Sequence, residues 1–117
     1  MSLRLRTEAL HVFANVAGAG PTAILAAFAG QIVKVYRMII VNGAAGQTIT
    51  LQDTSNTAIS QGFLLLANGT ITIDTPINGD PWFFSGDRGA SPIVPGLGIQ
   101  WSNSAAFSYD LWYLQGL

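Results

Sequence analysis

The sequence contains no cysteine and only one histidine in 117 residues. The absence of cysteine excludes a disulfide framework, thiolate metal ligands and a cysteine nucleophile, and it fits a protein that assembles inside a cell. The single histidine, His11, lies in the apolar segment 10–16, where a packed or edge-exposed strand residue is more common than a general base. No serine lies in a nucleophile-elbow context. The sequence therefore offers little for nucleophilic or metal-dependent catalysis.

Charge is also scarce: charged residues make up 9% of the chain and hydrophobic residues 50%, whereas an average soluble domain has roughly 25% charged residues. The net charge of −1 comes without a basic stripe, so no nucleic-acid partner is predicted. The sequence contains no run of about 18 mostly apolar residues, so it predicts no membrane helix. Surfaces with few charges tend to associate, so we expect other subunits to cover part of this one. The alternative is a neutral surface of serine, threonine, asparagine and glutamine.

The acidic residues do not form an obvious catalytic pair. They are Glu8, Asp53, Asp74, Asp80, Asp87 and Asp110. Asp80 and Asp87 share one loop, which leaves a hydrolase pair or a calcium site conceivable. Both residues adjoin glycine, in NGDP and SGDRG, and this is typical of turns. We favour the turn interpretation and predict no enzyme, no metal site and no cofactor.

Short β-type segments recur every 8–12 residues with turn signals between them, which is typical of an all-β sandwich or barrel. The length predicts one domain, residues 10–117, preceded by an N-terminal arm or first strand at 1–9. Strands are predicted at 10–16, 22–28, 32–41, 47–52, 57–61, 63–67, 70–74, 97–103 and 108–114. A short helix at 22–29 is the weaker alternative to a strand there.

Two connections have distinctive sequences. Asn68-Gly69 predicts a hairpin in which the strand at 70–74 pairs back on the strand at 63–67. Residues 75–95 contain four of the five prolines and predict a long loop. A loop of this length is usually functional or packed against something.

Three segments are apolar on both faces, although neighbouring side chains of a strand point to opposite faces. They are Met38–Val41, Phe63–Leu66 and Trp82–Phe84. A sheet with one side in water should alternate instead. Either a neighbouring subunit covers the second face, which we favour, or a tight barrel and its loops bury both faces. The interface candidates in these segments are Met38, Ile40, Leu64, Leu66, Trp82, Phe83 and Phe84.

Four blocks in succession carry a resemblance to a known family. They read ILAAFAGQIVKVYRMII at 24–40, TAISQGFLLLANGTITI at 57–73, PWFFSGDRG at 81–89 and GIQWSNSAAFSYDLWYL at 98–114. Their order over about residues 22–114 resembles the small β-sandwich virion proteins of tailed bacteriophages. That group contains trimeric capsid decoration (cement) proteins and related head-fibre domains. The chain departs from the family pattern at ASPIVP, residues 90–95, which adds loop, and in an end richer in tryptophan and tyrosine.

The resemblance implies an antiparallel, jelly-roll-like β-sandwich with little or no helix. It also implies a homotrimer that binds the major capsid protein on the capsid surface, after assembly in the host cytoplasm. Such a trimer would stabilise the assembled shell by mass action and multivalency, without a cofactor, nucleic acid or membrane.

Two further sets of residues are candidates for contacts in such an assembly. Leu3, Arg4, Leu5 and Arg6 alternate apolar and basic side chains, and could add as a strand to a neighbour's exposed edge. The alternatives for this arm are a disordered terminus or the first strand of the domain. Asp87 and Arg88, at a loop tip, are candidates for polar contacts to the shell.

A receptor- or glycan-binding module of a tail or head fibre is the alternative function. The chain has three tryptophans, and an exposed Trp82 would suit stacking against a sugar ring. Trp101 and Trp112 lie in alternating strand contexts, so we expect them in the core or at an interface. The glycan hypothesis therefore depends on Trp82.

Overall fold

The computed structural model describes residues 9–74 and 80–116, so the predicted arm contacts Leu3, Arg4, Leu5 and Arg6 lie outside the described residues. Within the described ranges, nine strands form two antiparallel sheets that pack as a β-sandwich, and there is no helix. The predicted fold class is confirmed.

The strands follow the chain in this order: β1 Leu10–Val16, β2 Thr22–Leu25, β3 Ile32–Asn42, β4 Gln47–Asp53, β5 Phe63–Leu65, β6 Thr70–Asp74, β7 Phe83–Phe84, β8 Ile99–Ser102 and β9 Phe107–Gly116. Sheet A has the order β1-β9-β3-β6, and β7 also pairs with β3. Sheet B has the order β2-β8-β4-β5. Most successive strands therefore alternate between the two sheets of the sandwich.

The predicted strand positions agree with most of the observed ones. The predictions at 10–16 and 70–74 match β1 and β6, and the helix alternative at 22–29 is wrong because β2 occupies its first half. The strand predicted at 57–61 does not form. There only Ala58 makes an isolated bridge, and the amides of Ile59 and Ser60 both donate to the Leu51 carbonyl.

The Asn68-Gly69 turn forms, but it does not make the predicted hairpin. The Gly69 amide donates to the Leu66 carbonyl at 2.9 Å, and Asn68 adopts a φ of 60°. However, β5 pairs with β4 and β6 pairs with β3, so the strands on either side of the turn belong to different sheets. The Asn68 amide donates to the Gly43 carbonyl at 2.8 Å, which fixes the turn at a corner between the sheets.

The core lies between the two sheets. Its largest fully buried side chains are those of Trp101, Met38, Ile40, Ile49, Leu51, Ile99 and Leu111. The Trp101 ring makes edge-to-face contacts with Phe107 and Tyr109, at centroid distances of 5.7 and 5.4 Å. Aromatic pairs prefer this arrangement, because the positive edge of one ring meets the negative face of the other. Trp101 is thus a core residue, in agreement with the expectation that it lies in the core or at an interface.

A buried polar cluster closes one end of the sandwich. The Gln47 amide donates to Asn42 Oδ1 at 2.8 Å and accepts from the amides of Ser104 and Ala105, both at 3.0 Å. Asn42 in turn donates to the Leu66 carbonyl at 2.9 Å. Buried polar groups are costly unless they are hydrogen-bonded. These two side chains satisfy one another and join the β3–β4, β5–β6 and β8–β9 connections.

Candidate interaction surfaces

Among the described residues, the outer face of sheet B carries no charged side chain. Its outward side chains are Ala23, Thr48, Thr50, Gln52, Leu64, Gln100 and Ser102, as the strand register and the alternating burial show. The Gln100 amide donates to Gln52 at 3.0 Å and to Asn56 at 2.7 Å. The face is therefore polar but neutral, with part of its hydrogen-bonding capacity already used within the sheet.

Two leucines border this neutral face at the edge strand β5. Leu64 and Leu66 are 77% and 78% exposed, whereas Phe63 and Leu65 point into the core. In the described part of the chain β5 pairs only with β4, so its other edge is open. An exposed apolar edge strand is an association site unless something covers it. Leu64 and Leu66 are thus placed on the surface, as interface candidates should be.

Met38 and Ile40, which the sequence also suggested as interface residues, are corrected by the structure. They are 1% and 0% exposed in the single chain and lie in its core. The outward side chains of this part of β3 are Ile39 and Val41, because neighbouring strand residues point to opposite faces. The sandwich itself buries one face of 38–41, so only the other face is left for a partner.

The outer face of sheet A differs from that of sheet B because it carries charge. The side chains of Lys34, Arg37, Asp74 and Asp110 lie there, together with His11. Arg37 lies 3.9 Å from Asp74, measured from Nε to Oδ2, in an exposed ion pair. Half of the eight charged residues in the described ranges are therefore on this face.

An aromatic ladder crosses three strands of the same face. The His11 ring stacks on Trp112 with a centroid distance of 4.3 Å and an interplanar angle of 7°. On the other side, the Arg37 guanidinium lies 4.7 Å from the Trp112 ring centroid. His11 Nε2 also lies 2.8 Å from Asp110 Oδ1. These contacts join β1, β9 and β3, so His11 and Trp112 have a structural role in sheet A.

The three aromatic residues at 82–84 point in different directions. Trp82 and Phe83 line a groove of about 720 Å³ between the open edges of the two sheets. Trp82 is 52% exposed, whereas Phe83 packs against the core and makes an edge contact with Phe63. Phe84 lines a separate cavity of about 260 Å³ beside Tyr36. Of these three interface candidates, only Trp82 presents most of its side chain to solvent.

Arg88 has an internal partner instead of projecting from a loop tip. Its Nη1 lies 2.6 Å from Oδ2 of the fully buried Asp53, and its Nη2 donates to Ser55 Oγ at 3.0 Å. Burial opposes ionisation of Asp53, but the hydrogen bonds from Ser55 and Arg88 outweigh it and hold the pKa of that carboxyl below its ordinary value. Asp87 accepts from the Gly89 amide at 2.9 Å, which is a local turn bond. The turn interpretation is therefore confirmed for Asp87.

The described residues contain no group of three or more acidic, histidine or cysteine side chains that could hold a metal ion. In the same ranges no helix is long and apolar enough to cross a membrane. Comparisons of the chain with protein-family models, curated proteins and solved structures find no match. The chemistry of its own surfaces is therefore the basis for a functional hypothesis.

Proposed function

We propose that this chain is a structural virion protein of a tailed bacteriophage. In this proposal it assembles as a homotrimer, binds the major capsid protein of the finished shell and stabilises that shell. The observation that supports assembly most directly is the neutral outer face of sheet B, bordered by Leu64 and Leu66 at 77% and 78% exposure. The number three and the shell as partner come from the family resemblance.

The contrast between the two sheet faces supports sheet B as the contact surface. Centres of protein interfaces are depleted of charged residues, because an ion that loses its water must be paired. The outer face of sheet A would require Lys34, Arg37, Asp74 and Asp110 to lose water, whereas no charged residue in the described ranges would do so on the outer face of sheet B. Covering Leu64 and Leu66 would also remove apolar side chains from water.

No catalysis is needed for a stabilising role. A protein that binds the assembled shell and not the free subunits shifts the equilibrium toward the shell. Three linked copies dissociate only when every contact is lost at once, so weak single contacts combine into slow release. The jelly-roll architecture that the resemblance implies is compatible with this role, because it occurs in viral capsid domains. The alternation of strands between the two sheets supports it.

Light scattering after size-exclusion chromatography tests the assembly step. We expect a mass near three times 12.4 kDa for the wild type. The double variant Leu64→Lys/Leu66→Lys should elute as a folded monomer, because charged side chains would then face the partner. Phe13→Lys is the matched control, since Phe13 is 69% exposed on the outer face of sheet A. A monomeric wild type, or a double variant of unchanged mass, would contradict the proposal.

Cosedimentation tests the second step, with purified shells of the phage whose genome encodes this chain. The wild type should pellet with the shells and raise the temperature at which they release DNA. The double variant should do neither, and Phe13→Lys should do both. A wild-type trimer that stays in the supernatant would overturn the shell-binding role while leaving the assembly step intact.

A further inference from the structure

We infer that the groove beside Trp82 receives the segment Leu3–Arg6 of a second copy of this chain, added as a strand to the open edge of β6. The segment lies outside the described residues, whereas the groove lies within them. The inference deepens the proposed function, because it assigns a contact between copies. It rests on that proposal only for the closed trimer, and the test reads the groove itself.

The edge of β6 presents backbone groups to an added strand. In the described part of the chain β6 pairs only with β3. The Asn42 amide donates to the Gly69 carbonyl at 2.7 Å, and hydrogen-bonded pairs alternate along an antiparallel ladder. Ile71 and Ile73 therefore bond to β3, whereas the amide and carbonyl of Thr72 point to the open edge. Such an edge binds an extended segment through main-chain hydrogen bonds.

The groove beside this edge is mostly apolar. Its apolar lining residues in the described ranges are Ile59, Phe63, Ile71, Ile73, Trp82 and Phe83. Ile71 and Ile73 line it from β6, whereas the alternation of the strand places Thr72 and Asp74 toward the outer face of sheet A. Asp74 is the one charged lining residue in the described ranges. An added strand therefore needs apolar side chains on the groove side and polar or basic ones on the other.

The alternation near the start of the chain meets both requirements. Leu3 and Leu5 are apolar, and Arg4 and Arg6 are basic. Neighbouring residues of a strand point to opposite faces, so a strand with both leucines in the groove has both arginines on the outer face of sheet A. That face carries the Asp74 carboxylate. The segment thus matches the groove in apolarity and the adjoining surface in charge.

The same copy cannot supply this strand, because its segment is too short to reach. Leu10 begins β1 at the far edge of sheet A, where it lies opposite Tyr113. A strand beyond β6 is four inter-strand spacings from β1, about 19 Å at roughly 4.8 Å each. At about 3.3–3.6 Å per residue, this crossing takes about five to six residues. It would use most of Leu3–Arg6 before any pairing with β6, whereas a second copy has no such limit.

A contact of this kind suits the proposed trimer. The segment and the groove are two different surfaces of one chain, so their contact is heterologous, and heterologous contacts generate closed rings. The groove also adjoins β5, since Phe63 lines it. Leu64 and Leu66 of the same edge border the outer face of sheet B. One interface between two copies would therefore contain both contacts.

The test adds a synthetic peptide of residues 1–9, MSLRLRTEA, to the ¹⁵N-labelled full chain. The labelled chain carries Leu3→Asp/Leu5→Asp, so that its own segment does not compete. We expect saturable shifts of the β6 backbone amides and of the Trp82 side-chain N–H signal in two-dimensional NMR. The signal of the fully buried Trp101 should stay unchanged.

A control peptide of the same composition, MSRLLRTEA, breaks the alternation. It should bind about tenfold or more weakly, because only one leucine can then enter the apolar groove. A second peptide carries Arg4→Gln/Arg6→Gln and should lose less than about fivefold, because exposed ion pairs contribute little. Arg37 already lies 3.9 Å from Asp74, which limits the gain from a further arginine.

Variants of the labelled chain then locate the acceptor edge. Thr72→Pro removes the amide that points to the open edge and leaves the bonds of β6 to β3, and an edge strand tolerates proline at such a position. This variant should lose the peptide response. Thr72→Val is the matched control, since it keeps the amide and loses only the outward hydroxyl, and it should bind as before. Far-ultraviolet circular dichroism confirms that each variant is folded.

Four results would overturn the inference. They are unchanged β6 amides, equal binding of MSLRLRTEA and MSRLLRTEA, shifts at another strand edge instead, and undiminished binding to folded Thr72→Pro. Adding Leu64→Lys/Leu66→Lys to the labelled chain should leave the peptide response intact. A monomeric wild type whose groove binds the peptide would therefore contradict the trimer and support this contact. A trimer whose β6 amides do not respond would overturn this contact and leave the trimer.

Discussion

Arg88 and Asp53 are 35 residues apart in the sequence, and Nη1 of the arginine lies 2.6 Å from Oδ2 of the aspartate. The same oxygen accepts from the Gly86 amide at 3.2 Å, while Oδ1 accepts from the Ser55 amide at 3.0 Å. One buried carboxylate therefore holds both the turn after β4 and the loop after β7. This loop is fixed from inside the molecule, and Arg88 is not free to serve as an outward contact.

Removing the arginine should destabilise the fold. Arg88→Met leaves the Asp53 carboxylate buried without its cation, and we expect a loss of about 2–4 kcal/mol in the free energy of unfolding. Urea denaturation followed by tryptophan fluorescence measures it. Asp87→Asn, the neighbouring change, affects a partly exposed turn and should cost less than about 1 kcal/mol. Equal losses in the two variants would contradict the structural role of the ion pair.

The same pair predicts a loss of stability in acid. The pKa of Asp53 is lower in the folded chain than in the unfolded chain, so folding favours the ionised form. This contribution is fully present above the ordinary aspartate pKa and is lost as the pH falls through the lower, folded value. Wild-type melting temperatures should therefore drop as the pH falls from about 5. Asp53→Asn should be less stable near neutrality, and its acid dependence should be flatter. An Asp53→Asn variant with the wild-type pH profile would refute this assignment.

In the polar cluster at the end of the sandwich, a substitution that nearly preserves side-chain size should still lower stability strongly. Gln47→Leu removes the acceptor of the Ser104 and Ala105 amides and the donor to Asn42 Oδ1. We expect a loss of about 3 kcal/mol or more, because each buried group left without a partner costs about 1–3 kcal/mol. Gln52→Leu is the control on the outward side of the same strand. If chemical denaturation gave equal losses in the free energy of unfolding for Gln52→Leu and Gln47→Leu, the buried cluster would contribute no more than an outward position.

The ladder on sheet A predicts a graded series of stabilities. Trp112→Ala removes the ring that both His11 and Arg37 contact, and should cost about 2 kcal/mol from the combined stacking and cation–π terms. Phe13→Ala lies at the end of the ladder, with its ring 5.2 Å from that of His11, and should cost less. Thermal melts of the two variants check the order. The reverse order would mean that the ladder does not stabilise the sheet.

The sequence was sufficient for most strand positions and not for all of the strands' partners. Alternating residues such as Gln47 to Gln52 indicate a strand because one face is buried, and the structure agrees. The chemistry of Asn68-Gly69 requires only a tight turn, and the same turn serves a hairpin or a corner between sheets. Which of the two forms depends on β4 and β3 as distant partners, and no local pattern encodes that choice.

The candidate sites show the same difference between what a local sequence pattern indicates and what depends on distant partners. Leu64 and Leu66 were interface candidates because the segment Phe63–Leu66 is apolar on both faces, and the structure places both side chains on the surface. Asp53 begins a local turn, in which the Ser55 amide donates to its side chain. Its ion pair with Arg88 could not be identified, because 35 residues separate the partners and both adjoin ordinary turn sequences. The Trp82 groove likewise exists only once the two sheet edges face each other.

The pairing of β1 with β9 has a consequence for how the chain can acquire its structure. Leu10 lies opposite Tyr113 and Val16 opposite Phe107, so the first strand has its only partner in the described chain at the last one. During synthesis on the ribosome, β1 could not pair with β9 until nearly the whole domain had emerged. Pairings of such high contact order also make folding slow. During that interval its exposed phenylalanine and leucine would be available to other chains, so crowded synthesis would favour aggregation until sheet A is complete.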